Sequence, residues 1–192
     1  TPDKLHTKTK EMNEMATRLF DIIDNLLKWS EIQTNKIQFT PFIYDIIKTL
    51  QVTILPFEAA ATAKNISLIY PKHDIIKIHA DPVMVNTIIR NLLSNAVKFT
   101  HSGGTVQIEI LRKPEVIKIN VKDTGLGMSE KILSSLFTIS TEHRRLGTAR
   151  EPGTGIGLVL CKTLIEKNNG TIEVESEQGI GTTVTLTLPK QA

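Results

Sequence analysis

The apolar positions of this chain change period several times, and each change marks an element. Between residues 8 and 34, Met12, Met15, Leu19, Ile22, Leu26 and Trp29 recur at alternating steps of three and four, the spacing of a heptad seam. Ala16, Phe20, Ile23 and Leu27 form a second apolar row beside it. Two adjacent rows are too much apolar surface for a solitary surface helix. They predict a long helix packed on several others, as in a four-helix bundle. No second stretch of the chain has matching character, so its partners are expected from sequence beyond this chain or from another subunit.

After a short connector, "NKIQFTP" (35–41), the period suggests a helix over 42–64, with Pro56 as a kink or break. "ISLIYP" (66–71) and "IIKIHA" (75–80) read as strands. Asp81-Pro82 is a strong helix start, with Asp as N-cap and Pro in the first turn, and that helix runs to about Phe99. "SGGT" (102–105) is a turn. "VQIEILRK" and "VIKINVKD" alternate apolar and polar residues and should be neighbouring antiparallel strands. "SEKILSSLF" (129–137) predicts a short helix capped by Ser129, and 138–153 a mobile loop. "TGIGLVLCKTLIEKNNG" reads as a helix with an Asn-Gly stop. "TIEVES" and "TTVTLTLP" close the chain as a hairpin, with Val184, Leu186 and Leu188 on one face. The expected architecture is a long bundle helix followed by an α+β domain with its helices on one face of an antiparallel-rich sheet.

Composition narrows this picture mainly by exclusion. The chain has 192 residues, 40% hydrophobic and 22% charged, enough for one well-cored domain plus an appendage. The net charge is +3 and the charges are interspersed, which argues against a nucleic-acid-coating surface. Cys161 is the single cysteine, so there is no intramolecular disulfide, as fits a reducing compartment. No run has the length of a membrane span, and the start carries no signal peptide. The abrupt opening "TPDKLHTKTK" reads as the start of a fragment.

Three stretches carry candidate chemistry. On helix 82–99, Val85, Ile88, Ile89, Leu92, Leu93 and Ala96 form the apolar stripe, while Asn91, Asn95 and Lys98 share the other face. Asparagine is a mediocre helix former. An amide oxygen can coordinate a hard cation such as Mg²⁺, and an ammonium can pair with phosphate. Taken alone, a solvated face still fits these three better. "DTGLGM" (123–128) follows a strand; its glycines let the backbone approach a ligand, and Asp123 can accept from an exocyclic amine. An ordinary strand-to-helix turn is the alternative. "GTGIGL" (153–158) opens a helix, whose N-terminus favours phosphate. A loop precedes it, so it is no dinucleotide fingerprint, and no G-x-x-x-x-G-K-[ST] occurs. "GIGTTVTL" (179–186) is a fourth element.

The order of these elements is more specific than any one of them. An Asn-x-x-x-Asn-x-x-Lys helix, Asp-x-Gly-x-Gly, a short helix ending in Phe137, a loop, Gly-Thr-Gly-x-Gly-Leu and a final Gly-x-Gly-Thr-Thr closely resemble the ATP-binding domain of sensor histidine kinases. That family is related to gyrase-type and chaperone-type ATPases. The resemblance implies a GHKL-type α/β sandwich, three helices packed on a mixed, mostly antiparallel sheet, over residues 39–192. It implies ATP held between helix 82–99 and loop 138–153. By the same resemblance Asn95 is the Mg²⁺-binding asparagine, Lys98 a phosphate contact, and Phe99 the ring bordering adenine. Asp123 accepts from the adenine amine, with Gly125 and Gly127 giving room beside it. Gly153, Thr154, Gly155, Gly157 and Leu158 belong to the lid's hinge and phosphate cradle. Thr183 is the threonine near Asp123, and Phe137 either matches a family phenylalanine or fills the core. In the hydrolytic relatives a glutamate stands where this chain has Asn91, and an amide is a poor general base. The site should hold ATP without rapid hydrolysis.

Residues 1–38 resemble the second helix of the family's dimerisation and phosphotransfer bundle, "LFDIIDNLLKWSEIQ", with its linker. The resemblance implies a kinase that moves the γ-phosphoryl of ATP to a histidine for relay to a response regulator. It further implies a homodimer through the bundle and a cytoplasmic location, as the cytoplasmic part of a membrane-bound sensor. A protein-serine kinase of the anti-sigma type and a non-catalytic ATP-sensing module are the alternatives. No histidine here matches the phosphoacceptor setting: His6 is at the wrong helix, and His73, His79, His101 and His143 fit no metal spacing. Cys161 reads as a small core residue. Arg144, Arg145 and Arg150 can reach phosphates or remain solvated. The chain incubated with Mg²⁺ and γ-labelled ATP is expected to acquire no label; label on the protein, read by autoradiography, would contradict this.

Overall fold

The structure, a computed structural model, describes residues 38–72, 74–138, 146–149, 151 and 155–190. The chain divides into two units, Thr1–Gln38 and Phe39–Ala192, and the second is described here. The helix expected over 8–34 and most of the 138–153 loop lie outside the described residues. The elements run β1 (Phe42–Asp45), α1 (Ile46–Ala63), β2 (Ser67–Ile69), β3 (Lys77–Ala80), α2 (Pro82–Phe99), β4 (Thr105–Arg112), β5 (Val116–Asp123), α3 (Glu130–Leu133), α4 (Gly157–Lys167), β6 (Thr171–Glu177) and β7 (Gly181–Pro189).

Five strands form one sheet in the order β2-β4-β5-β7-β6, and β1 and β3 form a separate pair. β2 runs parallel to β4; every other ladder is antiparallel. The sheet is therefore mixed and mostly antiparallel, with the longer helices α1, α2 and α4 supplying the helical layer, as expected. Strand alternation divides the sheet into two faces. Val106, Ile108, Ile117, Ile119, Val121, Val184, Leu186 and Leu188 are buried, as is the α2 stripe from Val85 to Ala96. Lys118, Asn120, Thr183, Thr185 and Thr187 occupy the opposite, half-buried face. Cys161 is fully buried, a small core residue whose burial pushes its thiol pKa up.

Four local readings are refined. Residues 42–45 form strand, not the first turn of a helix: Phe42 pairs with Ala80 and Asp45 with Lys77. The helix starts only where Asp45 caps it, accepting from Ile47 N at 3.1 Å. Pro56 lies inside α1 without ending it. Val52, whose carbonyl loses its N–H partner, is 68% exposed, so the gap in the ladder lies on the solvent side of the helix. The helix at 129–137 is shortened to Glu130–Leu133, and Ser129 makes no side-chain cap bond. At the end of α4, Asn169 rather than Gly170 takes the left-handed conformation, with φ +54°. Gly170 N bonds Ile165 O at 2.9 Å. A side chain at Gly170 would strike Thr187 O, so strand approach is what requires a glycine there.

Asp81 is the knot of this framework, only 4% exposed. Its carboxylate accepts from Val83 N at 2.9 Å and Met84 N at 3.1 Å, capping α2, and from Thr40 N at 2.9 Å. Its own N–H donates to Asn168 Oδ1 at 2.8 Å, which ties the start of α2 to the end of α4. Asp81→Ala removes the cap and leaves buried donors unpaired, so it should destabilise the domain by about 2 kcal/mol. Urea unfolding at constant m-value checks this.

Candidate functional site

The exposed stripe of α2 is not simply solvated. Asn91, Asn95 and Lys98 are all half-buried, because other segments close over the C-terminal half of the helix. The Asn91 amide donates to Thr87 O at 3.0 Å, which leaves its oxygen facing forward. A Cβ at Gly157 would lie 2.9 Å from that oxygen, so the first residue of α4 sits directly against Asn91. α4 has Ile156 as its N-cap residue, with no side-chain cap bond. Its first-turn N–H groups and helix dipole therefore meet the polar face of α2, an arrangement suited to an anion. Gly155, with φ +75°, turns the chain just before it, and Leu158 is half-buried in the first turn.

A second segment reaches the end of α2 from β5. Leu126 N donates to Phe99 O at 3.0 Å. A side chain at Gly125 would strike Phe99 O and lie 2.8 Å from Asp123 Oδ1. Gly127, at φ +56°, stands where a side chain would strike Glu177 O. These glycines permit backbone to meet backbone, stitching the loop after Asp123 to both α2 and the β6–β7 turn. Asp123 Oδ1 accepts from Gly125 N at 2.9 Å. Burial pushes its carboxyl up to about 6, while bonds from the Gly125 and Thr182 backbones pull the other way.

The threonine beside Asp123 is Thr182, not the expected Thr183. The ladder sets Asp123 opposite Thr182 and Lys122 opposite Thr183. Directly opposed residues share a face, so Thr183 lies on the far side of the sheet. Thr182 Oγ1 is 2.8 Å from Ser176 Oγ, on the Asp123 side.

A third segment, residues 146–149 with 151, belongs to the loop expected over 138–153, and the sequence did not single out its contacts. Thr148 N donates to Lys98 O at 3.0 Å, and its hydroxyl bonds Lys98 O at 3.1 Å and Thr100 O at 2.8 Å. Lys64 Nζ pairs with Glu151 Oε1 at 3.0 Å. These partners lie far apart in the chain, and no local pattern signals them. The Lys98 ammonium sits 4.8 Å from the Phe99 ring centroid. Burial lowers its pKa, while Glu151 raises and Lys64 lowers it. Phe137 is half-buried, with Lys162 Nζ 5.4 Å from its ring centroid. Gly153, Thr154, Arg144, Arg145, Arg150, His6, His73 and His143 lie outside the described residues. Among the described residues no group of three His, Cys, Asp or Glu side chains could hold a metal.

The chain is similar to known proteins in sequence and in fold. Residues 80–192 match the model of the family described as histidine kinase-, DNA gyrase B- and HSP90-like ATPases. The sensor protein EvgS of Escherichia coli O157:H7 is 35% identical over 180 residues, which is 89% of this chain and 15% of that protein. The chain thus spans a small part of the curated relatives it matches. Among solved structures, full-length ShkA in complex with AMPPNP has a TM-score of 0.76 at 22% identity, covering 91% of this chain and 36% of that one. Histidine kinase ThkA in complex with the response regulator protein TrrA has a TM-score of 0.71 at 20% identity, covering 93% and 49%.

The raised pKa of Asp123 makes stability depend on pH. Folding favours its protonated form, so its contribution is fully present below about pH 4 and is lost as pH rises through about 6. Between pH 4 and 7 the wild type should lose about 2 kcal/mol relative to Asp123→Asn, allowing for partial exposure. Denaturant unfolding of both proteins at the two pH values measures the difference.

Proposed function

Since the chain belongs to the histidine kinase-, DNA gyrase B- and HSP90-like ATPase family, we propose that its second unit is the ATP-binding part of a sensor histidine kinase, donating the γ-phosphoryl to a histidine for relay to a response regulator. The observation that carries this reading is a convergence on the C-terminal half of α2. The Asp123 loop arrives through Leu126 and Phe99, the start of α4 through Gly157 and Asn91, and the 146–151 segment through Thr148 and Lys98. A carboxylate at one end and amides, an ammonium and a helix N-terminus at the other suit a molecule with an amine at one end and phosphates at the other.

In this reading Asp123 accepts from the adenine amine, and the folded loop around Gly125 holds its carboxyl in place. Phe99 borders the base. Lys98 and the first turn of α4 face the phosphates. Asn95 is half-buried and its amide makes no hydrogen bond among the described residues, so its oxygen is free to hold a hard cation. Mg²⁺ held there would offset the phosphate charge. Asn91 cannot activate water: it is an amide, and it already donates to Thr87 O. That supports transfer to a side chain over hydrolysis.

Residues 1–38 are proposed as a dimerisation and phosphotransfer helix, which makes the parent a homodimer, and the partner is proposed to be a receiver domain. No helix among the described residues is long and apolar enough to cross a membrane; the substrate places the proposed domain in the cytoplasm. Calorimetric titration of Mg-ATP should show binding to the wild type and at least a tenfold loss in Asp123→Asn, because the amide cannot match a carboxylate acceptor. Equal affinities would remove Asp123 from the base site.

A further inference from the structure

Lys64 stands at the end of α1, outside every motif. Its ammonium has three protons, and the structure places a partner for each. It donates to Val97 O at 2.8 Å, to Lys98 O at 2.9 Å and to Glu151 Oε1 at 3.0 Å. The first two acceptors are terminal carbonyls of α2, where the helix dipole is negative and a cation is favoured. Lys64 is thus fixed in place, with its side chain only 18% exposed.

The third partner is the informative one. Glu151 Oε2 accepts from Ala149 N at 2.8 Å. The space beside buried Gly147 is bounded by Glu151 Oε2 on one side and by Lys98 Cγ, 2.5 Å from where a Cβ would be, on the other. Glu151 therefore stands between two lysines, within electrostatic reach of both. Its ion pair is with Lys64, while the Lys98 ammonium rests over the Phe99 ring.

We propose that Lys64 is a positioning residue for phosphate binding: it holds the carboxylate of Glu151 and so leaves Lys98 free to meet the phosphates of ATP. The inference rests on the ATP reading above. Without Lys64, Glu151 would turn its charge on Lys98, occupying the cation and repelling an incoming phosphate. The partners are only partly exposed, so the effect survives solvent screening in part.

The test compares Mg-ATP, by calorimetry, with adenosine, by NMR titration, on the whole chain. Lys64→Met should weaken ATP about tenfold and leave adenosine unchanged. Lys64→Arg should retain ATP affinity. The double variant Lys64→Met with Glu151→Gln should regain most of what Lys64→Met loses, because the charge that captures Lys98 is gone. A double variant as weak as Lys64→Met overturns the proposal, as does an equal loss of ATP and adenosine, which marks a merely structural lysine. If Lys64→Met does not fold, Lys64→Arg together with Glu151→Gln decides: Glu151→Gln weakening ATP about tenfold overturns the proposal, and near-wild-type affinity in both variants supports it. A wild type that takes up no ATP sinks the nucleotide reading and this inference with it, a result distinct from any failure confined to the variants.

Discussion

The rotation of α2 about its own axis governs the whole domain. Its stripe from Val85 to Ala96 is buried, and a helix that commits one stripe to the core has no freedom in what it shows on the other. Asn91, Asn95 and Lys98 are carried outward as a set. Asp81 fixes where that helix begins, and its bonds to Thr40 and Asn168 bind the start to two other segments. A shift of one residue at the cap would rotate the polar face by about 100°.

Around that helix the chain brings backbone into contact with backbone more closely than side chains allow. Gly125 against Phe99 O, Gly127 against Glu177 O and Gly181 against Asp123 O all form such contacts. Two of them, at Gly125 and Gly181, lie against Asp123, whose burial shields the carboxyl from water and raises its pKa. The shielding that makes the carboxylate costly to keep is also what makes it a strong acceptor for a ligand that replaces water. A mobile, solvated aspartate would be cheaper and less selective.

Much of this was legible in the sequence. The Asp-Pro start of α2, its end near Phe99, the antiparallel β4–β5 pair and the inward face of β7 are all set by period and cap, and all are found. The order of the glycine-bearing motifs pointed to the ATPase fold that the family match and solved structures support. The misreadings were local competitions. Phe42 to Asp45 carry enough apolar residues to suit a helix, but pairing with β3 satisfied their backbone instead. Pro56 sits inside α1 on its exposed side, and which side of a helix faces solvent is decided by packing rather than by the letters around the proline.

What the sequence alone determined is therefore where elements start and stop, because those depend on hydrogen bonds within a few residues. It also determined which side chains share a face, because that follows from the period. Only the tertiary structure decided which distant groups meet. "GTT" offers two threonines to Asp123, and the β5–β7 register, not the motif, selects Thr182. Lys64 and Glu151 are 87 residues apart, and no propensity in either neighbourhood hints at the other. Their pairing exists because α1, α2 and the 146–151 segment dock on one another, and docking is the sum of packing over the whole domain.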